Sequence, residues 1–504
     1  MNFYFDAAKV LDKLDAKQGS IKGIISTLPE KDRKRTAALV IETLRYKAVL
    51  NDIIHAAELL KHERQKLTSP NLALLLVHDL LFSKGKIQAG DGPIKQAVLR
   101  HKTRLQSELT KIKVKRGVKS ISDLAHGGDE RADLIPRYVR VNTVLWSTEE
   151  AIKCFLSHGY VEDGDPLDSK KTVQCDQHIP NLLLFHPLAS FNDSPLLSSG
   201  KIILQDKASC FPAMILSPPA HTQTRAIDAT AAPGNKTTLL SAIMKGRGKL
   251  YAFERDKKRF ATLKKMVEKA HCGNVEPTNV DFMSVDPHDS KYAGVSHILL
   301  DPSCSGSGIV NRLDHLLDTE DEDEIEGGQD ERLQKLAAFQ LLMIKHAMKF
   351  PAVTKIVYST CSVHAVENED VVSQALASDE AKEGHFVLAS RNEVLPTWPR
   401  RGLPARMPGY NSESLVRCVP GEDHTNGFFV SCFVREKDGG NPDFNRKECE
   451  NSLPNEGLTP QGKRPASQYE DNEEIKVTNT PERQSIEVSA DRRKKRRKRS
   501  KKQH

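Results

Sequence analysis

Ile-Leu-Leu-Asp-Pro-Ser-Cys-Ser-Gly-Ser-Gly, from Ile298 to Gly308, and Lys-Ile-Val-Tyr-Ser-Thr-Cys-Ser-Val, from Lys355 to Val363, are the stretches on which the reading of this chain turns. Each is an apolar run of strand length that stops at small polar residues with a thiol among them. An apolar run of that kind reads as a buried strand. Two thiols at two strand ends point to a site at those ends.

Working outward, the same texture repeats. Arg225-Ala-Ile-Asp228 ends at a Gly/Pro turn and is followed by a helical pattern from Lys236 to Met244. Lys249-Leu-Tyr-Ala-Phe-Glu254 is the next strand, with a helix over Asp256 to Ala270, then Val295 to Asp301, a helix over Arg332 to Met348, and Lys355 to Thr360. Repeated β-α units predict a parallel α/β sheet that binds its ligand at the carboxyl ends of its strands. Asp228, Glu254, Asp301 and Cys361 then fall along one edge. Gly427 to Val434 reads as a late hairpin strand.

The first 120 residues differ in kind. Ala37, Val40, Ile41, Leu44 and Ala48 recur at helical spacing, and Asn71 to Leu81 is an apolar stretch entered after Pro70. Lys31-Asp-Arg-Lys-Arg35 and Lys111-Ile-Lys-Val-Lys-Arg116 lie between these apolar faces, which suits a helical RNA-binding or docking domain. From Pro136 short apolar runs take over, beginning with Arg137 to Thr143, whose alternation predicts a strand with two arginines on one face. The expected organisation is a helical domain over 1–120, a linking α+β RNA-recognition segment over 121–200, an α/β domain over 201–436 and a disordered tail over 437–504. Asp318 to Glu331 carries nine acidic residues and a Gly-Gly, and reads as a solvated, mobile insertion without function of its own.

Composition bounds the function classes. At 504 residues and 38% hydrophobic content, two or three domains can bury real cores. No apolar run approaches the roughly 18 residues of a membrane helix, and Met1 to Ser20 lacks the apolar core of a signal peptide, so a soluble, unsecreted protein is expected. The nine cysteines form no CxxC pair and are odd in number, which argues against both a zinc cage and a disulfide framework. Cys154, Cys175, Cys210, Cys272, Cys418, Cys432 and Cys449 read as small buried hydrophobes. Net charge is +8 overall, but residues 1–120 carry 24 Lys/Arg against 12 Asp/Glu, and Arg492 to Lys502 holds ten basic residues and no acidic one. A chain basic at both ends and acidic between fits a polyanionic partner. The terminal run reads as a nuclear or nucleolar address, as salt-sensitive RNA affinity, or as both.

The segment Asp228-Ala-Thr-Ala-Ala-Pro-Gly-Asn-Lys-Thr-Thr238 offers small residues and a helix N-terminus to a ligand. It is not a phosphate loop, because Asn235 stands where that motif needs Gly before Lys. Glu254 at the next strand end can accept from two ribose hydroxyls, so an adenosine derivative fits better than a triphosphate. Cys304 and Cys361 differ from the other thiols in lying among Ser, Thr, Pro and Gly at the mouth of this site. A thiolate adding to carbon 6 of cytosine makes carbon 5 nucleophilic, and a carboxyl such as Asp301 near ring N3 would support the adduct.

Asp228 to Thr237, Asp301 to Gly308 and Tyr358 to Ser362 resemble the cofactor loop, Pro-Cys motif and Thr-Cys motif of the Sun/nucleolar-protein family of RNA cytosine-5 methyltransferases. Asp-Pro-Ser-Cys-Ser-Gly-Ser-Gly, Ala-Ala-Pro-Gly-Asn-Lys and Trp398-Pro-Arg-Arg-Gly-Leu403 are similar to the subfamily that methylates large-subunit ribosomal RNA. The resemblance spans roughly residues 136 to 435, with a looser match over the helical N-terminus. It implies a Rossmann-like class I methyltransferase sheet, S-adenosylmethionine as cofactor and no metal. It makes Cys361 the nucleophile, Cys304 the residue for product release, and Asp301 and Lys236 their neighbours at the base. It assigns Thr230, Ala231, Ala232, Pro233, Gly234, Asn235, Lys236, Glu254, Arg259 and Asp301 to the cofactor, with Asp281 near the adenine. Glu254 replaces the Asp usual in the family. A ribosome-assembly scaffold with a decayed site and a DNA cytosine-5 methyltransferase are the alternatives, the first disfavoured by both intact thiols and the second by the Thr-Cys motif.

Overall fold

Strand burial alternates between two cores, and that alternation builds the central layer. The structure, a computed structural model, describes residues 1–19, 21–125, 129–310, 316 and 326–436. In chain order the strands are β1 (Arg137–Val141), β2 (Val173–Cys175), β3 (Leu182–Phe185), β4 (Ile202–Leu204), β5 (Arg225–Asp228), β6 (Lys249–Phe253), β7 (Val275–Thr278), β8 (His297–Leu300), β9 (Lys355–Thr360), β10 (Phe386–Leu388), β11 (Val416–Cys418) and β12 (Phe428–Arg435). The last eight form one sheet in the order β10-β12-β9-β8-β5-β6-β7, with β11 paired to β12. Pairing is parallel from β7 across to β9, and β12 runs antiparallel to β9, β10 and β11.

On β8 and β9, Ile298, Leu300, Ile356 and Tyr358 face one core with Met343, Ile344 and Ala347 of helix Glu326–Met348. Leu299 and Val357 face the other, with Phe211 of helix Lys207–Leu216 and Leu239 and Leu240 of helix Asn235–Ile243. Helices on both faces explain why these strands read as continuous apolar runs rather than alternating ones. The chain leaves β5 toward β6 on one side, while β8 lies on the other. The carboxyl ends of β5 and β8 therefore flank a topological switch point, where α/β sheets bind ligands.

Eight helices, from Asn2–Asp15 to Lys102–Arg116, make the N-terminal part. Pro70 occupies the first turn of helix Pro70–Leu81, where its missing N–H costs nothing, and the Ser69 hydroxyl accepts from Leu72 N–H. Every residue from Asn71 to Leu80 is buried, so this helix is the centre of the bundle. The Tyr4 hydroxyl donates to the Asp79 carboxylate at 2.5 Å, tying the first helix to it. Leu316 packs into this N-terminal core rather than into the sheet.

Between bundle and sheet, β1 to β4 form an antiparallel sheet in the order β2-β3-β1-β4. Here the expectation of two arginines on one face fails. Arg137 is exposed and Arg140 fully buried, because residues three apart on a strand point to opposite faces. Ala48 is likewise exposed and in a separate helix, Lys47–Ala56, since the preceding helix stops at Arg45. Cys175 is exposed rather than buried, and Cys449 lies outside the described residues. The last six residues of the acidic insertion, 326–331, are helical, as the opening turns of Glu326–Met348, whereas 318–325 and the tail over 437–504 lie outside the described residues. Among the described residues no helix is long and apolar enough to cross a membrane, and no cluster of side chains could hold a metal ion.

Candidate active site

The loop after β5 begins at Asp228, 1% exposed, whose carboxylate accepts from the Thr237 hydroxyl at 2.7 Å. That bond ties the strand end to the first turn of helix Asn235–Ile243. Gly234 precedes the helix with φ of 115°, a left-handed conformation costly for residues with a Cβ, and a Cβ there would meet Met266 at 2.9 Å. Burial raises the Asp228 pKa to about 6, against the lowering effect of the Thr237 hydrogen bond.

One side of this loop faces Glu254, which follows β6 and is 5% exposed. Its Oε1 accepts from Asp256 N–H at 2.9 Å and its Oε2 lies 3.5 Å from Arg259 Nε. Arg259 Nη2 donates to the Ala232 carbonyl at 2.7 Å, so one guanidinium joins the loop to the acidic strand end. Asp281, three residues past β7, caps a short turn by accepting from Met283 N–H, and pairs with Arg255 at 3.5 Å. Thr230 Oγ1 accepts from Asp301 N–H at 3.1 Å, which joins the loops after β5 and β8. Carboxylates at the ends of β6, β7 and β8 beside a glycine-entered helix form an acceptor set suited to the hydroxyls and amines of an adenosine-type cofactor.

The other side holds the thiols. Lys236 Nζ lies 2.8 Å from Asp301 Oδ2, donates to Ser209 Oγ at 3.0 Å and sits over the Phe428 ring at 5.2 Å. Burial lowers the lysine pKa, yet Asp301, with Cys361 and Asp228 contributing, outweighs it and holds the ammonium above its ordinary value. Asp301 Oδ1 also accepts from Ser359 on β9 at 2.8 Å. The sulfurs of Cys304 and Cys361 are 3.2 Å apart. The contact with Cys361, burial and the nearby Glu367 together push the Cys304 thiol well above its ordinary pKa, so it is protonated at neutral pH.

A cavity of about 600 Å³ opens onto this group. Lys236, Asp301 and Cys361 line it together with Gln205, Asp206, Ser209, Asn426 and Phe428, and its far wall comes from Arg137, Tyr138, Pro187 and Leu188. Asp206 accepts from Thr425 Oγ1 and from Asn426 Nδ2, both at 2.6 Å, so the segment before β12 is clamped to the start of helix Lys207–Leu216. Buried Arg140 joins the small sheet to the same region through Gln205 Oε1 at 2.7 Å, Thr238 Oγ1 at 2.8 Å and the Asn235 carbonyl at 3.3 Å.

Every site residue expected from the sequence is thus on the carboxyl edge of the sheet, but in two groups. Asn235, Lys236, Asp301 and Cys361 share the cavity, with Cys304 beside Cys361. Glu254, Arg259 and Asp281 lie toward β6 and β7, and Thr230 to Gly234 run between. Gln205, Asp206, Ser209, Asn426, Phe428 and Leu188 were not anticipated. Asp206 carried one local signal, since an Asp before an apolar run reads as a helix cap, and it does accept from Ala208 N–H.

Three family models account for most of the described chain: NOL1/NOP2/Sun domain family member 5, N-terminal domain, over residues 34–125; the ferredoxin-like domain of that family member over 135–205; and 16S rRNA methyltransferase RsmB/F over 213–434. The 25S rRNA (cytosine-C(5))-methyltransferase rcm1 of Schizosaccharomyces pombe is 44% identical over 433 residues, 86% of this chain and 91% of the relative. The chain belongs to the NOL1/NOP2/Sun family. A 28S rRNA (cytosine-C(5))-methyltransferase of Mus musculus is 42% identical over 86% of this chain and 91% of its own length. In fold, a solved structure described as "Crystal Structure of PH0851" superposes with a TM-score of 0.54 at 19% identity, covering 81% of this chain and 91% of that one. The small sheet over β1 to β4 is the region that the family's ferredoxin-like domain model matches.

Proposed function

We propose that this chain transfers a methyl group from S-adenosylmethionine to carbon 5 of a cytosine in large-subunit ribosomal RNA, through a covalent adduct between Cys361 and carbon 6. The observation that carries the reading is the pair of sulfurs 3.2 Å apart, one lining a cavity beside the Lys236–Asp301 ion pair. The names of the yeast and mouse relatives support the substrate class.

S-adenosylmethionine, when bound, supplies an electrophilic methyl group. Glu254 would accept from the ribose hydroxyls, Asp281 would face the adenine, and residues 230–236 with Arg259 would form the wall between. On the cavity side, the cytosine must be unpaired or flipped for its face to reach Cys361. The protonated Lys236 stabilises negative charge that develops beside it, and Asp301 supports the adduct at N3. Cys361 bonds as thiolate to carbon 6, carbon 5 gains the methyl group, solvent water takes the carbon-5 proton, and the electron pair left behind re-forms the ring double bond as the carbon–sulfur bond breaks and Cys361 leaves as thiolate. Cys304, a neutral thiol at 3.2 Å, assists that last step.

Cys361→Ala should abolish transfer with at least a ~1000-fold loss, as for other covalent nucleophiles. Cys304→Ala should instead accumulate protein linked to RNA, visible as a shifted band on a denaturing gel. Exchange of the two behaviours would overturn the assignment. The basic run from Arg492 to Lys502 supports residence in the nucleus, and in its nucleolus, where such RNA is made. Its deletion should leave transfer to naked RNA intact and move a tagged protein to the cytoplasm; unchanged nuclear residence would reject the address.

The helical part over 1–120 and the small-sheet segment over 121–200 are proposed as the surfaces that hold the RNA outside the cavity. Arg137, Pro187 and Leu188 already reach the cavity wall from the small sheet.

A further inference from the structure

Two consecutive residues brace the two thiols. Glu367 ends the short turn Ala365–Glu367, and it and Asn368 are fully buried. Around Cys304, Glu367 Oε1 accepts from Ser305 N–H at 2.9 Å and its Oε2 from the Ser305 hydroxyl at 2.6 Å. Glu367 Oε1 also accepts from Gln340 Nε2 at 3.1 Å, and the same Gln340 amide nitrogen donates to the Ser303 carbonyl at 3.1 Å. The residues on both sides of Cys304 are thereby gripped. Tyr358 on β9 anchors the grip, its hydroxyl 2.5 Å from the Glu367 carbonyl and 3.0 Å from Gln340 Oε1.

Around Cys361 the arrangement repeats with the next residue. Thr360 Oγ1 donates to Asn368 Oδ1 at 2.6 Å, and Asn368 Nδ2 donates to the Ser362 carbonyl at 3.0 Å. Both neighbours of Cys361 are held by one side chain. Because Glu367 and Asn368 share a peptide bond, the two grips cannot move apart.

We infer that Glu367 and Asn368 are positioning residues that set the separation of the two sulfurs, Glu367 through the Cys304 loop and Asn368 through the Cys361 loop. Neither touches the reacting atoms. The inference deepens the proposed function and rests on its division of labour between the thiols. A sulfur misplaced by about 1 Å is enough to cost on the order of 100-fold in a step that depends on it.

The two variants therefore have opposite signatures. Glu367→Gln should form the RNA adduct at the wild-type rate and fail to resolve it, so that adduct accumulates as in Cys304→Ala. Asn368→Ala should form adduct about tenfold more slowly or worse, without accumulation. In both, S-adenosylmethionine affinity should be unchanged. If Glu367→Gln does not fold, Gln340→Leu, which removes the Ser303 arm, takes its place with the same expected accumulation.

A second readout does not depend on catalysis. Phenylarsine oxide bridges two thiols only when they are close together, so wild-type protein should bind it at Cys304 and Cys361, and both variants should bind about tenfold more weakly. Wild-type arsenical affinity in both variants, or a parallel loss of cofactor binding and adduct formation, overturns the inference. Should Cys304→Ala fail to trap adduct while the arsenical result holds, the thiol roles fall and the positioning role stands.

Discussion

Asp228 is a buried carboxylate whose hydroxyl partner does not fully offset its desolvation. Its pKa moves from 3.8 to about 6. Between those values the folded chain keeps a proton that the unfolded chain has released, so stability falls as pH rises from about 4 to about 6 and the loss persists above. A shift of this size corresponds to roughly 3 kcal/mol at most. Asp228→Asn removes the titration while retaining an acceptor for Thr237. Urea unfolding at pH 4 and pH 7 should show the wild type losing about 2–3 kcal/mol more than the variant between the two; equal losses would show that Asp228 does not titrate in this window. Arg140 shows the complementary case, a buried cation held by a side-chain amide oxygen, a hydroxyl and a carbonyl instead of a carboxylate.

At the scale of elements, the sequence was legible where packing is two-sided. The middles of β5, β6, β8 and β9 are apolar because helices cover both faces, and the strands stop at or beside Asp228, Glu254, Asp301 and Ser359-Thr360, polar groups that break the apolar run. β2, β10 and β11, three residues each, are too short for any period to show, and β7 includes Pro277. Helix Lys207–Leu216 carries Pro212 inside it, which hid it from a propensity argument. The thiols and the cofactor-side acids were legible because each lies within a few residues of a strand end. Asp206 and Asn426 were not, since their partnership spans 220 residues and each alone reads as an ordinary cap or turn residue. Glu367 and Asn368 were equally opaque: a Glu-Asn-Glu run in the sequence gives no hint that the first two face buried loops from two other strands.

Over the whole molecule, three layers of organisation meet at one edge: bundle, small sheet and main sheet. The last described strand has the widest reach. β12 pairs with β9 from Phe429 opposite Thr360 to Val434 opposite Lys355, and its first residue, Phe428, lies beneath Lys236. Just before it, Thr425 and Asn426 close the clamp on Asp206, and Gly427 N–H donates to the Gly308 carbonyl at 2.7 Å. The strand that ends at Thr360, just before Cys361, therefore stays half-paired until about seventy more residues have been made. A ribosome-bound chain ending at Ser414 should contain the whole N-terminal bundle in protease-resistant form, yet neither bind phenylarsine oxide at its two site thiols nor capture RNA. Capture by that truncated chain would show that the site matures earlier. Vectorial synthesis thus acts as a timer: the reactive sulfur geometry is gained only once β12 has left the ribosome, long after both thiols have been made.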